Sequence, residues 1–193
     1  MKENKFLNKK VEASKPGDAD KSQEGLDVKI EMATEKDWQE VKDLRLESIL
    51  GESAQFLAPP PDMLKAELEK RDQEWQSELT PREDMFTVLA RIGNEAVGIG
   101  RAIKEKDEKD AWRIRWMYVK PKFRNKGIQK KVIDARIKEI KKRGGKKAIA
   151  IISNPISIQN AKSSGFKLSI LEKIKGKKHG FYRLEKDLTE PEK

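Results

Sequence analysis

The chain has 193 residues, enough for one domain with a proper core and a tail, and is 36% hydrophobic and 39% charged. It has no cysteine and one histidine, His179, in the turn-like stretch KGKKHG, so disulfides, thiolate metal sites and thiol nucleophiles are excluded and Ser-His-Asp or metal catalysis lacks its usual side chains. The net charge of +10 is uneven: residues 1–27 carry six Lys and six Asp/Glu, whereas residues 120–147 carry thirteen Lys/Arg against Asp134 and Glu139. Such a surplus is either a solvated helix face or a surface that attracts a polyanion.

Residues 1–26 mix Lys, Glu, Asp, Ser and Gly without sustained periodicity, which predicts a disordered N-terminal tail. The tail lacks the apolar core of a signal peptide, and the longest apolar run, Ala148–Ile152, is far too short to span a bilayer. A cytoplasmic protein without membrane contact is expected. Leu26–Met32 alternates as a first strand. Thr34 then caps a helix with Asp37 at its third position, and Trp38, Val41, Leu44 and Ile49-Leu50 form its apolar side. Pro59-Pro60-Pro61 breaks the chain, and Asp62 caps a second helix. On it Leu64, Leu68, Trp75 and Leu79 fall at spacings of four, seven and four, one helical face, and Pro81 marks its end.

Phe86–Ile92 and Ala96–Lys104 read as two strands joined by a turn at Gly93-Asn94-Glu95. The next stretch, Trp112 to Arg143, carries the site. Ile114, Trp116 and Tyr118 alternate with Arg113, Arg115 and Met117 as a strand that Pro121 ends. After the basic loop Lys122–Lys126 and Gly127, a helix presents Ile128, Val132, Ile133, Ile137 and Ile140 on one face, and Gly144-Gly145 stop it. A strand, a glycine-bearing basic loop and a helix start make an anion site, because the first N–H groups of a helix are unbonded and its N-terminus is partly positive. Lys147–Ser153 reads as a buried strand, Asn154–Ser164 as a short helix, and Lys167–Lys173 with Phe181–Leu188 as a closing antiparallel pair. The pattern is a mixed α/β chain with helices on both faces of the sheet.

Tyr118-Val119-Lys120-Pro121 followed by Arg124-Asn125-Lys126-Gly127-Ile128-Gln129 resembles the acetyl-CoA loop of the GNAT N-acetyltransferase superfamily. That loop is an aromatic-Val-x-Pro strand end and then R/Q-x-x-G-x-G/A. Gly127 matches the first glycine, and Gln129 stands at the last small position. ATEKDWQEVKDLRLESILGESAQF, ending at Phe56, is similar to the start of many GNAT domains. NPISIQNAKSSGF, Asn154 to Phe166, resembles the segment in which Asn precedes a short helix and Tyr-x-x-x-Gly-Phe; in that family the Tyr protonates the departing thiolate, and its position is Ala161 here.

The resemblance covers roughly residues 27–188, leaving residues 189–193 as a short C-terminal tail. It implies a GNAT fold with a mostly antiparallel mixed sheet. It also implies acetyl transfer from acetyl-CoA to a primary amine by direct attack in a ternary complex, without a metal. By the same resemblance, backbone groups of Met117 and Val119 hold the pantetheine and carbonyl. Backbone N–H groups of Arg124, Asn125, Lys126, Gly127, Ile128 and Gln129 hold the pyrophosphate, with the charges of Arg124 and Lys126 adding to them, and Asn154 helps to hold CoA. The central strand offers Arg113 and Arg115 rather than a carboxylate, so no base is placed there. Glu52 is a candidate base or amine anchor, and equally a solvent carboxylate at a helix end. The expected partner is an amine-bearing small molecule or protein acceptor, not nucleic acid, and a homodimer stays open. Two alternatives remain: a CoA-binding relic of the fold, and a nucleic-acid-associated protein using the basic helix.

Overall fold

The computed structural model describes residues 27–51, 61–153, 155–172 and 181–189. Residues 1–26, Glu52, Phe56, Asn154, His179 and residues 190–193 lie outside them, and so do the expectations that fall there. The chain runs β1 (Val28–Met32), a 3-10 turn (Glu35–Asp37), α1 (Trp38–Leu50), α2 (Pro61–Glu69), α3 (Asp72–Ser77), β2 (Met85–Ile92), β3 (Glu95–Lys104) and β4 (Ala111–Val119). It continues with a second 3-10 turn (Pro121–Phe123), α4 (Ile128–Lys142), β5 (Lys147–Ile152), α5 (Pro155–Ser163), β6 (Lys167–Glu172) and β7 (Phe181–Asp187).

The seven strands form one sheet in the order β1-β2-β3-β4-β5-β7-β6. All neighbours are antiparallel except β4 and β5. Helices cover both faces, as the pattern predicts. On one face α4 and α5 pack Val132, Ile133, Ile137, Ile140 and Ala161 against Val88, Ala90, Trp112, Ala148 and Leu184. On the other, α1 packs Val41 and Leu44 against Leu89, Ile99 and Tyr118. Cover on both sides explains why Phe86–Ala90 is buried without alternation. Thr34 starts the first turn as expected: the Asp37 carboxylate accepts its backbone N–H and its hydroxyl, both at 2.8 Å.

The expected single helix after Pro61 is a correction. Lys70 and Arg71 separate α2 from α3, with Arg71 extended (ψ 157°) and its backbone N–H capped by Glu74 at 2.8 Å. Trp75 and Leu79 enter the core, but Leu68 is 49% exposed and, on α1, so is 58% of Leu50.

Two irregularities place the site. The parallel pairing of β4 with β5 covers only Ala111–Ile114 against Lys147–Ala150, so both strands run on without pairing each other and a notch opens between them. In β4 itself the register against β3 slips between Ile99↔Tyr118 and Arg101↔Arg115, so that Trp116 and Met117 face Gly100 alone. Trp116 takes a left-handed φ of 55°, a conformation that costs a bulky residue about 1–3 kcal/mol.

Candidate active site

Beyond the bulge, β4 runs into the basic loop. Arg124 folds back so that its Nε donates to the Val119 carbonyl at 3.1 Å. Asn125 and Gly127 both have left-handed φ, 61° and 72°, which turns the chain sharply into α4. Gly127 caps the helix. A Cβ added there would meet nothing within 4 Å, so the glycine is required by its backbone angle and leaves an open approach to the helix start. The first bond of the ladder runs from the Lys131 N–H to the Gly127 carbonyl at 3.2 Å. The N–H groups of Ile128 and Gln129 precede it and point out of the helix end.

A cavity of about 220 Å³ lies over this end, lined by Val119, Arg124, Asn125, Gly127, Ile128 and Gln129, with Lys130 and Asn160 beside them. Lys126, the remaining loop residue named from sequence, is exposed and does not line it; its Nζ lies 5.9 Å from the Phe123 ring. A second cavity of about 130 Å³ fills the notch between β4 and β5, where Met117, Arg136, Ile151 and Ala161 are among its walls. Gln129 and Ile133 line both cavities. Between them Asn160 of α5 donates to Gln129 Oε1 at 3.0 Å. The loop residues other than Lys126, together with Met117, thus line two adjoining cavities, while the positions of Glu52 and Asn154 lie outside the described residues.

The face toward α1 is rich in arginine. Arg101 is buried and stacks on Trp116 with its guanidinium carbon 3.5 Å from the ring centroid; it also pairs with Glu78 at 2.8 Å. Arg45 pairs with Glu67 at 2.7 Å and lies 4.9 Å from the same ring. Arg113 pairs with Glu105. Tyr118 donates its hydroxyl to Glu47 at 2.8 Å, and burial, then the Glu47 carboxylate, push it up to about 12. No carboxylate of β4 faces the notch, so the strand supplies no base. Among the described residues no cluster of His, Cys, Asp or Glu suits a metal ion, and no helix is long and apolar enough to cross a membrane.

Sequence reasoning missed Asn160 and Arg136. Asn160 gave no signal, since its partner is thirty-one positions away. Arg136 did: it continues the stripe Ile128, Val132, Ile140 at helical spacing, and it is fully buried with Nη1 donating to the Arg115 carbonyl at 3.1 Å.

A profile described as the Acetyltransferase (GNAT) family matches residues 47–166, from α1 through the loop, α4 and α5. The chain belongs to the GNAT acetyltransferase family. No curated protein matches it in sequence. Among solved structures, a GNAT-family acetyltransferase of Streptococcus pneumoniae superposes with a TM-score of 0.68 at 16% identity, covering 83% of this chain and 98% of that one. The PaiA N-acetyltransferase of Thermoplasma acidophilum, in complex with coenzyme A, gives 0.62 at 16% identity over 83% and 98%. YncA of Salmonella typhimurium, with its cofactor acetyl-CoA, gives 0.63 at 16% identity over 86% and 96%. These likenesses support the same fold.

Proposed function

We propose that this GNAT protein is an N-acetyltransferase that takes acetyl-CoA as donor and a primary amine as acceptor, both held in one ternary complex. The observation that carries the reading is the pair of adjoining cavities, sharing Gln129 and Ile133, at the Gly127 helix start and in the β4–β5 notch. The two suit a diphosphate and a narrow acylated arm. The residues fit the cofactor: an open glycine cradle, outward N–H groups and the cations of Arg124 and Lys130 favour phosphates, and the partly apolar notch favours an uncharged chain.

In this reading Arg124, Asn125, Gly127, Ile128 and Gln129 hold the pyrophosphate, with Lys126 adding charge at the rim. Backbone groups of Met117 and Val119 orient the acylated end. When bound, acetyl-CoA supplies the acetyl group: a nitrogen–carbon bond forms as the carbon–sulfur bond breaks, the sulfur keeps the electron pair, and the amine gives a proton to solvent or a base. The protein's contribution is to hold both reactants in one place and to aim dipoles at the charge that develops. Asn154 as a further CoA contact and Glu52 as base or amine anchor rest on the sequence alone. The acceptor is an amine-bearing small molecule or a protein.

Calorimetry with acetyl-CoA, followed by a panel of amines assayed for CoA release, tests the reading. Binding with amine-dependent release is expected. Binding without release from any amine favours a CoA-binding relic. Absence of binding, with salt-sensitive retention on nucleic acid, favours the nucleic-acid reading.

A further inference from the structure

Arg136 sits in the third turn of α4 with no surface exposed to solvent. Its Nε donates to the Val132 carbonyl of its own helix at 3.2 Å. Its Nη1 donates to the Arg115 carbonyl at 3.1 Å and reaches the Arg101 carbonyl at 3.4 Å, while Nη2 lies 3.2 Å from Met117 Sδ. Nothing acidic among the described residues pairs with it. The groups packed on it are the backbones of Arg101 and Arg115, the Met117 thioether, Val132 and Gly100, none of them titratable.

A buried cation with neutral partners is costly, and an apolar side chain of similar volume would serve packing better. Arg101, one strand away, shows the ordinary solution, since it is buried against Glu78. The fold also makes room for the Arg136 head. A Cβ on Gly100 would lie 2.8 Å from its Nε, 2.9 Å from its Cζ and 2.8 Å from Val132 Cγ1, so glycine leaves room there for the guanidinium and for Val132. The two carbonyls that Nη1 reaches belong to the last regular pair before the bulge. Arg136 therefore pins the distorted stretch of β4 that forms one wall of the notch.

That wall carries the second observation. Among the described residues lining the notch, Arg115 and Arg136 are the charged ones, and Ala161 stands where the resemblance places a proton-donating tyrosine. Arg115 keeps part of its surface in solvent, which screens it in part even though burial pulls its guanidinium down; Arg136 has none. Resting on the acetyl-CoA reading above, the geometry points to Arg136 as a positioning residue of the transfer centre. It fixes the bulge, and its charge, held in the notch wall, stabilises the negative charge that gathers on the departing sulfur. Burial pulls Arg136 down only to about 9, so the group is a cation at neutral pH. The buried charge acts across a medium of low polarity, where its field reaches further than it would through water.

The test uses the full chain and CoA itself, and it needs no acceptor. The thiol of bound CoA is titrated by its thiolate ultraviolet absorbance, against a free thiol near ~8.5. In the unaltered protein the bound thiol should titrate about one unit lower, a tenfold gain in thiolate. Arg136→Met should remove most of that shift while changing CoA affinity below pH 7 less than about threefold, and Arg136→Lys should keep part of it. Arg115→Met should leave the shift in place. If Arg136→Met does not fold, Gly100→Ala, which crowds the guanidinium, should shrink the shift in its stead. An identical bound-thiol titration with and without the Arg136 cation overturns the proposal, as does an equal loss in Arg115→Met. A protein that binds no CoA instead rejects the acetyl-CoA reading, and one that binds CoA with an unshifted thiol rejects only the role of Arg136.

Discussion

Gln129, in the first turn of α4, accepts a 3.0 Å hydrogen bond from Asn160 of α5, and the pair stands where the two cavities adjoin. The bond ties together two helices that otherwise meet the sheet separately. A cofactor lying along both cavities has to pass this pair. Gln129→Ala should therefore tighten acetyl-CoA, by roughly three- to tenfold if the gain approaches the ~1 kcal/mol net worth of one hydrogen bond. Asn160→Ala should act in the same direction. Calorimetry on both variants decides: weaker binding in Gln129→Ala alone means that its side chain is a contact and not a barrier.

Gly127 makes a different prediction. With φ at 72° and no neighbour within 4 Å, a side chain there meets no clash, only backbone strain. A β-branched residue in the left-handed region costs about 1–2 kcal/mol, and its Cβ would project where phosphates approach. Gly127→Val should lower the melting temperature modestly and weaken acetyl-CoA binding at least tenfold. Gly127→Asn, which tolerates this angle, should keep most of the stability and lose affinity only. Equal affinities in both variants and the parent would remove the loop from the phosphate site.

Much of this was readable from the chain because period and burial coincide. The five apolar positions expected on α4 are all buried, and the strand ending at Pro121 with its basic loop stands where alternation and the missing N–H put it. What the sequence hid has one physical origin: charged side chains used inside the fold. Arg45, Arg101 and Arg136 count as surface charge in any composition reading, yet each is buried and each meets the bulged stretch of β4 through Trp116 or a carbonyl. The break between α2 and α3 was hidden for a similar reason. Arg71 and Glu74 carry no helix-breaking signal alone, and only their mutual capping ends one helix and starts the next.

Tyr118 could be mistaken for a relocated proton donor, but its ring packs with Val41, Leu44 and Ile99 on the α1 face and its hydroxyl is engaged by Glu47. Tyr118→Phe should cost less than about tenfold in turnover, short of the ~10²–10⁴ of a general acid. The group also marks alkaline stability. Its folded value, about 12, exceeds the ~10 of an unfolded tyrosine, so its contribution is complete below pH 10 and fades as pH rises toward 12. Melting temperatures measured across that window should fall less steeply in Tyr118→Phe than in the parent. A hundredfold loss of turnover together with loss of an alkaline limb would make Tyr118 the acid.

Glu78 holds the bulge from the opposite side, and it gives the acid counterpart. Its carboxylate accepts from Arg101 Nη1 at 2.8 Å and from Lys70 Nζ at 2.6 Å. Arg101 in turn stacks on Trp116 and donates to Thr87 Oγ1 at 2.9 Å, while its Nη2 is buried without a partner among the described residues. Burial resists ionisation of Glu78, but the two donors outweigh it and hold the carboxyl below its ordinary range. A depressed folded value means that the stabilisation is present above the unfolded ~4.3 and is lost as pH falls through the folded value. Glu78→Gln keeps the shape and removes the charge, leaving Arg101 buried beside a neutral amide. Breaking a fully buried pair costs about 3–5 kcal/mol; Glu78 is 29% exposed, so about 2 kcal/mol is expected at neutral pH. Urea unfolding at pH 7, followed by the fluorescence of the Trp75–Trp116 pair, measures that loss. Repeated from pH 6 down to pH 3, it should find the gap between parent and variant narrowing, because acid removes from the parent the same charge that the substitution removed. A gap that stays constant across the range would mean that Glu78 supports Arg101 through shape alone, and the charge would then have no part in holding Trp116 at its strained angle.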